Sequence, residues 1–441
     1  DLCRDRSSLS CAIQEGHAYR MHDRSFWLDS APAFENPDEP DFGREVDVVV
    51  VGAGLTGLST AYHLALQGVS VAVLEAHTVG WGASGRNGGM ATTGLSISLR
   101  KAVARYGVEA ASQMRQFYND AISLIGSIDA AEGGGSEFRR AGLLNVAARA
   151  SHVDGYREEA ELITRVTKHT AEFLDAARVR EEIGSDAYFG GMLDPAGASV
   201  HPGRFVRLLA HAVIAHGGAI HESASVTEIN RRTHGGYLVH SSRGSLSAQH
   251  LVVATGAYSS PPFGWLQRRV AQVGSFIVTT EPLDAELAAS ILPNRRVCSD
   301  SKELLNYFRL SEDNRLVFGG RARFVSRDPS VDPKSGDILA RQMVTVFPQL
   351  RDTAIEYRWG GLVDISMDRM VHSGRGRDYH YAIGFTGHGV QMATFMGKVL
   401  AGNVLGEAEN PWAELRNPPI PGHFGRPWFV PFAGLYFQAR D

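Results

Sequence analysis

The sequence predicts an α/β domain with a parallel sheet, assembled from separated stretches of chain. With it goes an α+β domain built on an antiparallel sheet. Three observations carry this. The apolar, β-branched run Val46–Val51 is followed by a glycine-rich turn, a helical stretch and a second apolar run, "VSVAVLE", which together read as a βαβ unit. Similar pieces return far downstream: "AQHLVVATGAYSS" reads as a buried strand, and "YAIGFTGHGV" as strand, turn and helix start. Between these, from Val270 to Trp359, short strand-like runs dominate ("SFIVTTE", "NYFRL", "RLVFGG", "AIEYRWGG") and predict the antiparallel sheet.

Taken in order, residues 31–43 carry three prolines and several acids, and read as a loop closing an N-terminal arm and linker, 1–43. In the first helix Leu58, Ala61, Leu64 and Ala65 share one face, and Gly68 is placed to end it. Residues 100–180 read as mostly helical, interrupted by "EGGGSEF". An amphipathic helix follows from Pro202 to about His216, then a small meander in "AIHESASVTEINRR" and "GYLVHSS". "QMATFMGKVLAGNVL" continues the last helix. The expected division is 44–130, 198–262 and 365–408 for the discontinuous domain, 131–197 and 263–364 for the inserted one, and 409–441 for a tail with no assignment.

Length and composition bound the function. The chain has 441 residues, enough for roughly two or three domains, and its 44% hydrophobic and 21% charged content is that of a globular protein. Net charge is −4 and no basic stripe is interleaved with aromatics, which argues against nucleic acid as a partner. Cys3, Cys11 and Cys298 form no CxxC pair; their odd number fits a reducing compartment and offers no zinc set. His211, His216 and His221 have no carboxylate at ligand spacing, so no metal is expected. The first twenty residues lack the apolar core of a secretory signal, and no run reaches the ~18 apolar residues of a membrane span. A cytoplasmic protein is expected.

Gly52-Ala53-Gly54-Leu55-Thr56-Gly57 is GxGxxG between a strand and a helix, with Glu75 at the end of the next strand. That context marks a dinucleotide-binding turn: glycines let backbone approach a diphosphate, the helix N-terminus offers N–H groups, and Glu75 can accept ribose hydroxyls. The fingerprint alone leaves NAD and FAD open. "VGWGASGRNGG", Val79–Gly89, holds five glycines in eleven residues where a next βα unit would otherwise start. It suits backbone wrapped round a large flat ligand, so FAD is favoured, with Ser84, Arg86 and Asn87 contacting diphosphate and ring. The expected cofactor-binding set continues through Gly82, Ala83, Gly88, Gly89, Met90, Val226, Ala254, Thr255 and Gly256 to Gly387, His388, Gly389, Val390 and Gln391. A helix N-terminus at Gly387–Gly389 would stabilise the negative charge a flavin gains on reduction. His388 reads first as packing against that loop, and second as a ring ligand or base.

GxGxxG with Glu75, "GWGASGRNGG", "ATGAYS" and "GFTGHGV" together resemble the FAD-dependent D-amino-acid-oxidase superfamily, which includes glycine and sarcosine oxidases. "GWGASGRNGG" resembles the branch of gamma-glutamylputrescine oxidoreductase in particular. "SFW" near Ser25, "TTEPL", "YFRLSEDNRLVFGGR" and "RWGGLVDISMDRM" add to the likeness, which spans roughly residues 25–405. The resemblance implies an FAD-binding domain, an antiparallel sheet over the substrate side of the flavin, and oxidation of an amine C–N bond. Hydride passes to flavin N5, the imine hydrolyses to a carbonyl, and O2 reoxidises the flavin to give hydrogen peroxide. Met90 stands where that branch carries glutamine. Gln391 stands where sarcosine-oxidase relatives carry a carboxylate-gripping lysine, which favours an amine whose carboxylate, if any, is distant. Cys298 sits in no tethering motif, so FAD is expected to be non-covalent.

The oxidised nitrogen must be neutral, and an aromatic pocket lowers its pKa by desolvation. Tyr307, Phe308 and Trp359 are the candidate walls, and Tyr307, Trp359 and His388 the candidate catalytic residues; no general base is assigned. Arg309 and Arg321 could hold a remote carboxylate but read first as structural. Lys302 could assist oxygen reduction but reads first as solvated. The leading expectation is an amine oxidase acting on a gamma-glutamylated polyamine-like or other N-substituted amine. The alternatives are a dehydrogenase passing electrons to a quinone or carrier, and an inactive flavin- or partner-binding protein. The particular amine and the oligomeric state are not legible.

Overall fold

In the computed structural model, residues 21–36, 39, 41–320, 332–407, 410, 412–425, 428, 429, 432 and 434 are described. Cys3, Cys11 and Arg321 lie outside the described residues.

The Val46–Val51 run forms the strand Glu45–Val51 at the centre of the first sheet. Its neighbours run in the order His372–Gly376, Tyr379–Ile383, Ser245–Val253, Glu45–Val51, Val71–Leu74, Ala219–His221. Apart from the antiparallel edge strand His372–Gly376, every pairing along this order is parallel. The central strand is apolar at successive positions because both faces are covered. Val48 and Val50 pack against the helices Leu55–Ala65, Pro202–Ala215 and Gly389–Leu405. Val49 and Val51 pack under the meander Val226–Arg231 and Tyr237–Ser241, with Phe263 and Leu266. The register Val51↔Leu74, Val51↔Val253 and Val253↔Tyr381 brings the C-terminal ends of four parallel strands to one edge.

The second sheet runs Ile355–Ser366, Val270–Thr280, Leu316–Gly320, Asn306–Leu310, Val297–Asp300, Leu143–Val146, Gly190–Asp194, Glu172–Asp175. Two of these strands, Leu143–Val146 and Glu172–Asp175, fall in the stretch that reads as helical. They are four residues each, set among the helices Val108–Ala131, Val153–Val166 and Ala176–Glu182. The sheet is therefore not wholly antiparallel: Leu143–Val146 pairs in parallel with Val297–Asp300.

The N-terminal segment ties both sheets to the glycine-rich loop. In the short helix Phe26–Ser30, Trp27 is fully buried against Trp359, and its Nε1 donates to the Asn87 carbonyl at 2.8 Å. Ser25 Oγ donates to the Gly85 carbonyl at 2.6 Å. The tail, unassigned from sequence, begins by docking: Trp412 is fully buried beside Phe117 and Phe395, and Asn410 Nδ2 donates to the Ser373 carbonyl at 3.1 Å. Among the described residues no helix is long and apolar enough to cross a membrane.

Candidate active site

A cavity of about 1190 Å³ opens at the C-terminal edge of the parallel strands and runs between the two sheets. Such crevices are where open α/β sheets place ligands. Two helix N-termini open into it. Leu55–Ala65 starts from Gly54, which has no side chain to cap it, and Gly389–Leu405 from His388, whose side chain does not cap it. Gly57 is required by close approach rather than by the cavity: a Cβ there would overlap the Gly52 carbonyl, so the helix could not pack on the turn. Glu75 accepts from the Ala53 N–H at 2.7 Å and the His77 N–H at 2.9 Å, which orders the turn; burial raises its pKa.

The glycine-rich loop lines the cavity with Trp81, Gly82, Ala83, Ser84, Arg86, Asn87 and Gly88. Ser84 Oγ accepts from the Leu55 N–H at 2.9 Å, tying loop to helix start. The Arg86 guanidinium stacks over Trp81 at 4.3 Å, and Trp81 stacks in turn on His77, two residues beyond Glu75. Asn87 is consumed by the loop itself: its Nδ2 donates to the Ser84 carbonyl at 2.8 Å and its Oδ1 accepts from the Gly89 N–H at 2.8 Å.

On the second sheet, Tyr307 lies with its ring between Gly88 and Gly319, where an added Cβ on either glycine would strike it. Its hydroxyl is 3.2 Å from Ser275 Oγ. His388 Nδ1 is 3.0 Å from Ser96 Oγ, its ring lies edge-on to Tyr118, and desolvation lowers its pKa to about 4. The imidazole is thus neutral through the neutral pH range. Asp364 is buried and lines the cavity. Its carboxylate accepts from the Gly384 N–H at 2.7 Å and the Phe385 N–H at 3.2 Å, holding the turn before the last helix. Desolvation pushes its pKa up to about 7, against the pull of those N–H groups.

Residues 47–402 match the family described as FAD dependent oxidoreductase (DAO). The chain belongs to this family. It is 33% identical to gamma-glutamylputrescine oxidoreductase of Escherichia coli strain K12, over 95% of this chain and 98% of that protein. It is 32% identical to the probable oxidoreductase OrdL of Haemophilus influenzae, over 89% and 90%. Among solved structures it resembles glycine oxidase from Geobacillus kaustophilus, with a TM-score of 0.71 at 20% identity over 85% of this chain and 99% of that one. Family membership makes the chain an FAD-dependent oxidoreductase of the kind that acts on amines.

The cavity suits FAD. Beyond the Leu55 N–H held by Ser84, the N-terminus of Leu55–Ala65 has N–H groups that could take a diphosphate, and Glu75, Ser225 and Val226 line the same end of the cavity, where a ribose would lie. The uncapped N-terminus of Gly389–Leu405 presents a second positive end, where the electron-rich edge of a flavin would lie. Of the residues expected from sequence, Gly52, Gly54, Leu55, Thr56, Glu75, Gly82, Ala83, Ser84, Arg86, Asn87, Gly88, Met90, Val226, Ala254, Thr255, Gly256, Tyr307, Gly387, His388, Gly389 and Val390 line this cavity.

Others are placed elsewhere. Ala53, Gly57 and Gly89 lie behind the lining. Gln391 is fully buried, is not part of the lining, and donates from Nε2 to the Thr92 carbonyl at 2.6 Å. Trp359 is not brought to the cavity: it is buried behind the loop, and its Nε1 donates to the Arg86 carbonyl at 3.0 Å. The period-two alternation of its strand sends Trp359 to the arm side, against Trp27. Phe308 is core, stacked on Phe318. Arg309 is buried and spent on the Gly88 and Val200 carbonyls at 2.9 and 2.8 Å. Lys302 pairs with Asp300 at 2.8 Å and with Asn306 Oδ1 at 2.9 Å. Cys298 is buried and does not line the cavity.

Sequence reasoning missed Asp364 and Arg369, both inside "RWGGLVDISMDRM", and Tyr258, inside "ATGAYS". Tyr258 lines the cavity and its hydroxyl accepts from the Leu362 N–H at 3.1 Å. It also missed the outer chamber of Ser96, Arg115, Asn145, His152, Tyr156, Glu159, Ser299 and Asp300. These come from four separated stretches of chain, and no local pattern joins them.

Proposed function

We propose that the chain oxidises the C–N bond of an amine whose carboxylate is remote from the reacting nitrogen, with a gamma-glutamylated polyamine as the substrate type and O2 as electron acceptor. The identity to gamma-glutamylputrescine oxidoreductase along nearly the full length of both chains supports the substrate type. The observation that carries the reading is the charge at the start of the last helix. Thr386, Gly387, a neutral His388, Gly389 and Val390 line the cavity there, and Gln391, uncharged, is outside the lining. A small α-amino acid would put its carboxylate beside the reacting carbon, and those residues offer it no cationic side chain.

FAD, when bound without a covalent tether, supplies a two-electron acceptor. The chain's own residues prepare the substrate. Tyr307, Leu143, Met192, Ile163 and Phe385 line an apolar wall, where desolvation favours the neutral amine that oxidation requires. The outer chamber from Asn145 to Tyr156 gives a long substrate room beyond that wall. Peroxide formation under air tests the proposal. Gamma-glutamylputrescine should be turned over with a kcat/KM at least about tenfold above sarcosine or glycine, a difference of roughly 1.4 kcal/mol in transition-state binding. Preference for sarcosine or glycine would overturn the substrate assignment. Flavin reduction without peroxide would transfer the acceptor role to a quinone or protein carrier.

A further inference from the structure

The charged residues lining the cavity can be sorted by what already holds them. Glu75 accepts from two backbone N–H groups, and Arg86 stacks over Trp81. Arg115 is buried in an ion pair with Asp194. Glu159 accepts from the Leu99 N–H at 2.5 Å, Asp300 binds Lys302, and Asp364 holds the turn at Gly384. Arg369 differs. It is exposed at the edge of the cavity, and among the described residues its guanidinium makes no hydrogen bond or ion pair.

Its backbone is held in a costly conformation. Arg369 has φ +62°, a left-handed value that an L-residue with a Cβ adopts against a steric penalty. The turn around it is over-determined. The Arg369 N–H closes onto the Ser366 carbonyl at 3.2 Å, and Ser366 Oγ donates to the Met370 carbonyl at 2.7 Å. Asp368 Oδ1 accepts from the Met370 N–H at 3.1 Å and lies 2.8 Å from His372 Nε2, while Arg105 stands 3.8 Å from Asp368 Oδ2. Strained positions fixed in this way cluster at ligand sites. The turn presents one uncommitted guanidinium at the opening of the cavity.

We infer that Arg369 binds the substrate's carboxylate at the end remote from the oxidised nitrogen. The inference rests on the amine reading above and names the residue that selects a carboxylate-bearing amine over a neutral or purely cationic one. A guanidinium offers a carboxylate two parallel N–H donors, which a point charge does not.

The test uses the FAD-loaded enzyme and two amines of equal length. One is gamma-glutamylputrescine; the other is 4-aminobutanoyl-putrescine, which has the same oxidisable amine and remote ammonium but no carboxylate. Arg369→Asn removes the guanidinium while asparagine tolerates the left-handed backbone, so folding is retained. The variant should lose about 30-fold in kcat/KM for the carboxylated amine, the scale of a charged hydrogen-bonded contact, and less than about threefold for the other. Arg369→Lys should fall between. Equal losses on both amines, or none, would overturn the assignment. Binding of gamma-glutamyl-n-butylamide, which lacks the oxidisable amine, is followed separately by the shift it causes in the flavin spectrum. Its Kd should rise about tenfold or more in Arg369→Asn. That rise with no amine oxidised would uphold Arg369 and sink the amine reading. An unchanged Kd, or no binding to the wild type, would overturn the Arg369 site itself.

Discussion

Asp364 shows what one buried carboxylate does in this fold. It holds the Gly384–Phe385 turn, and thereby the start of the last helix, at the cost of burying an acid. Its pKa rises from an ordinary 3.8 to about 7, so the folded protein binds a proton there that the unfolded chain does not. Stability from this group is therefore greatest below both values and is lost as pH rises through the interval between them. In flavin-free protein, Asp364→Asn lacks that loss. Its melting temperature should improve relative to the wild type as pH goes from about 5 to about 7.5. A difference that stays constant with pH, or shrinks, would contradict the protonation argument. The sequence hid this residue because "GLVDIS" reads as ordinary strand. Burial of Asp364 depends on a turn twenty residues further on, which no local pattern encodes. Trp359 fails in the opposite direction: an aromatic in a site-like motif, aimed at the arm rather than the ligand.

At the scale of elements, what was legible was local. GxGxxG, its flanking strand and helix, and Glu75 all lie within one βαβ unit, and each part constrains the next through short-range geometry. The strands Leu143–Val146 and Glu172–Asp175 were not legible. They are short, sit among helices, and are defined by partners that include Val297–Asp300, far along the chain. The loop Val79–Gly89 was half legible. Its glycines do bring backbone to the cavity, yet Gly85 serves another purpose. A Cβ at Gly85 would meet the Gly80 carbonyl and stand 2.5 Å from Leu28 Cδ2, so this glycine admits the N-terminal arm behind the loop. Gly85→Val should displace arm and loop together and lower the ratio of flavin to protein absorbance in the purified protein. Gly85→Ala combined with Leu28→Ala should recover part of it. A fully flavinated Gly85→Val protein would contradict the arm's role in shaping the site.

Across the whole molecule, the parallel sheet supplies the GxGxxG side of the cavity and the second sheet supplies Tyr307, Ser275, Ser299 and Asp300 on the other. The cavity exists because the two meet with the glycine-rich loop between them. The arm braces that loop from behind, through Trp27 and Ser25. Neither sheet alone encloses the lining, which is why composition and periodicity predicted two sheets while leaving the outer chamber unseen. On the proposed function, this joint cavity holds FAD and an amine so that electrons pass from the amine to the flavin. The most direct measurement is the visible spectrum of the FAD-loaded protein, taken without oxygen before and after addition of gamma-glutamylputrescine. Bleaching of the flavin band on mixing is the expected result, with sarcosine and glycine slower. An oxidised flavin spectrum left unchanged by gamma-glutamylputrescine and by simple alkylamines would contradict it.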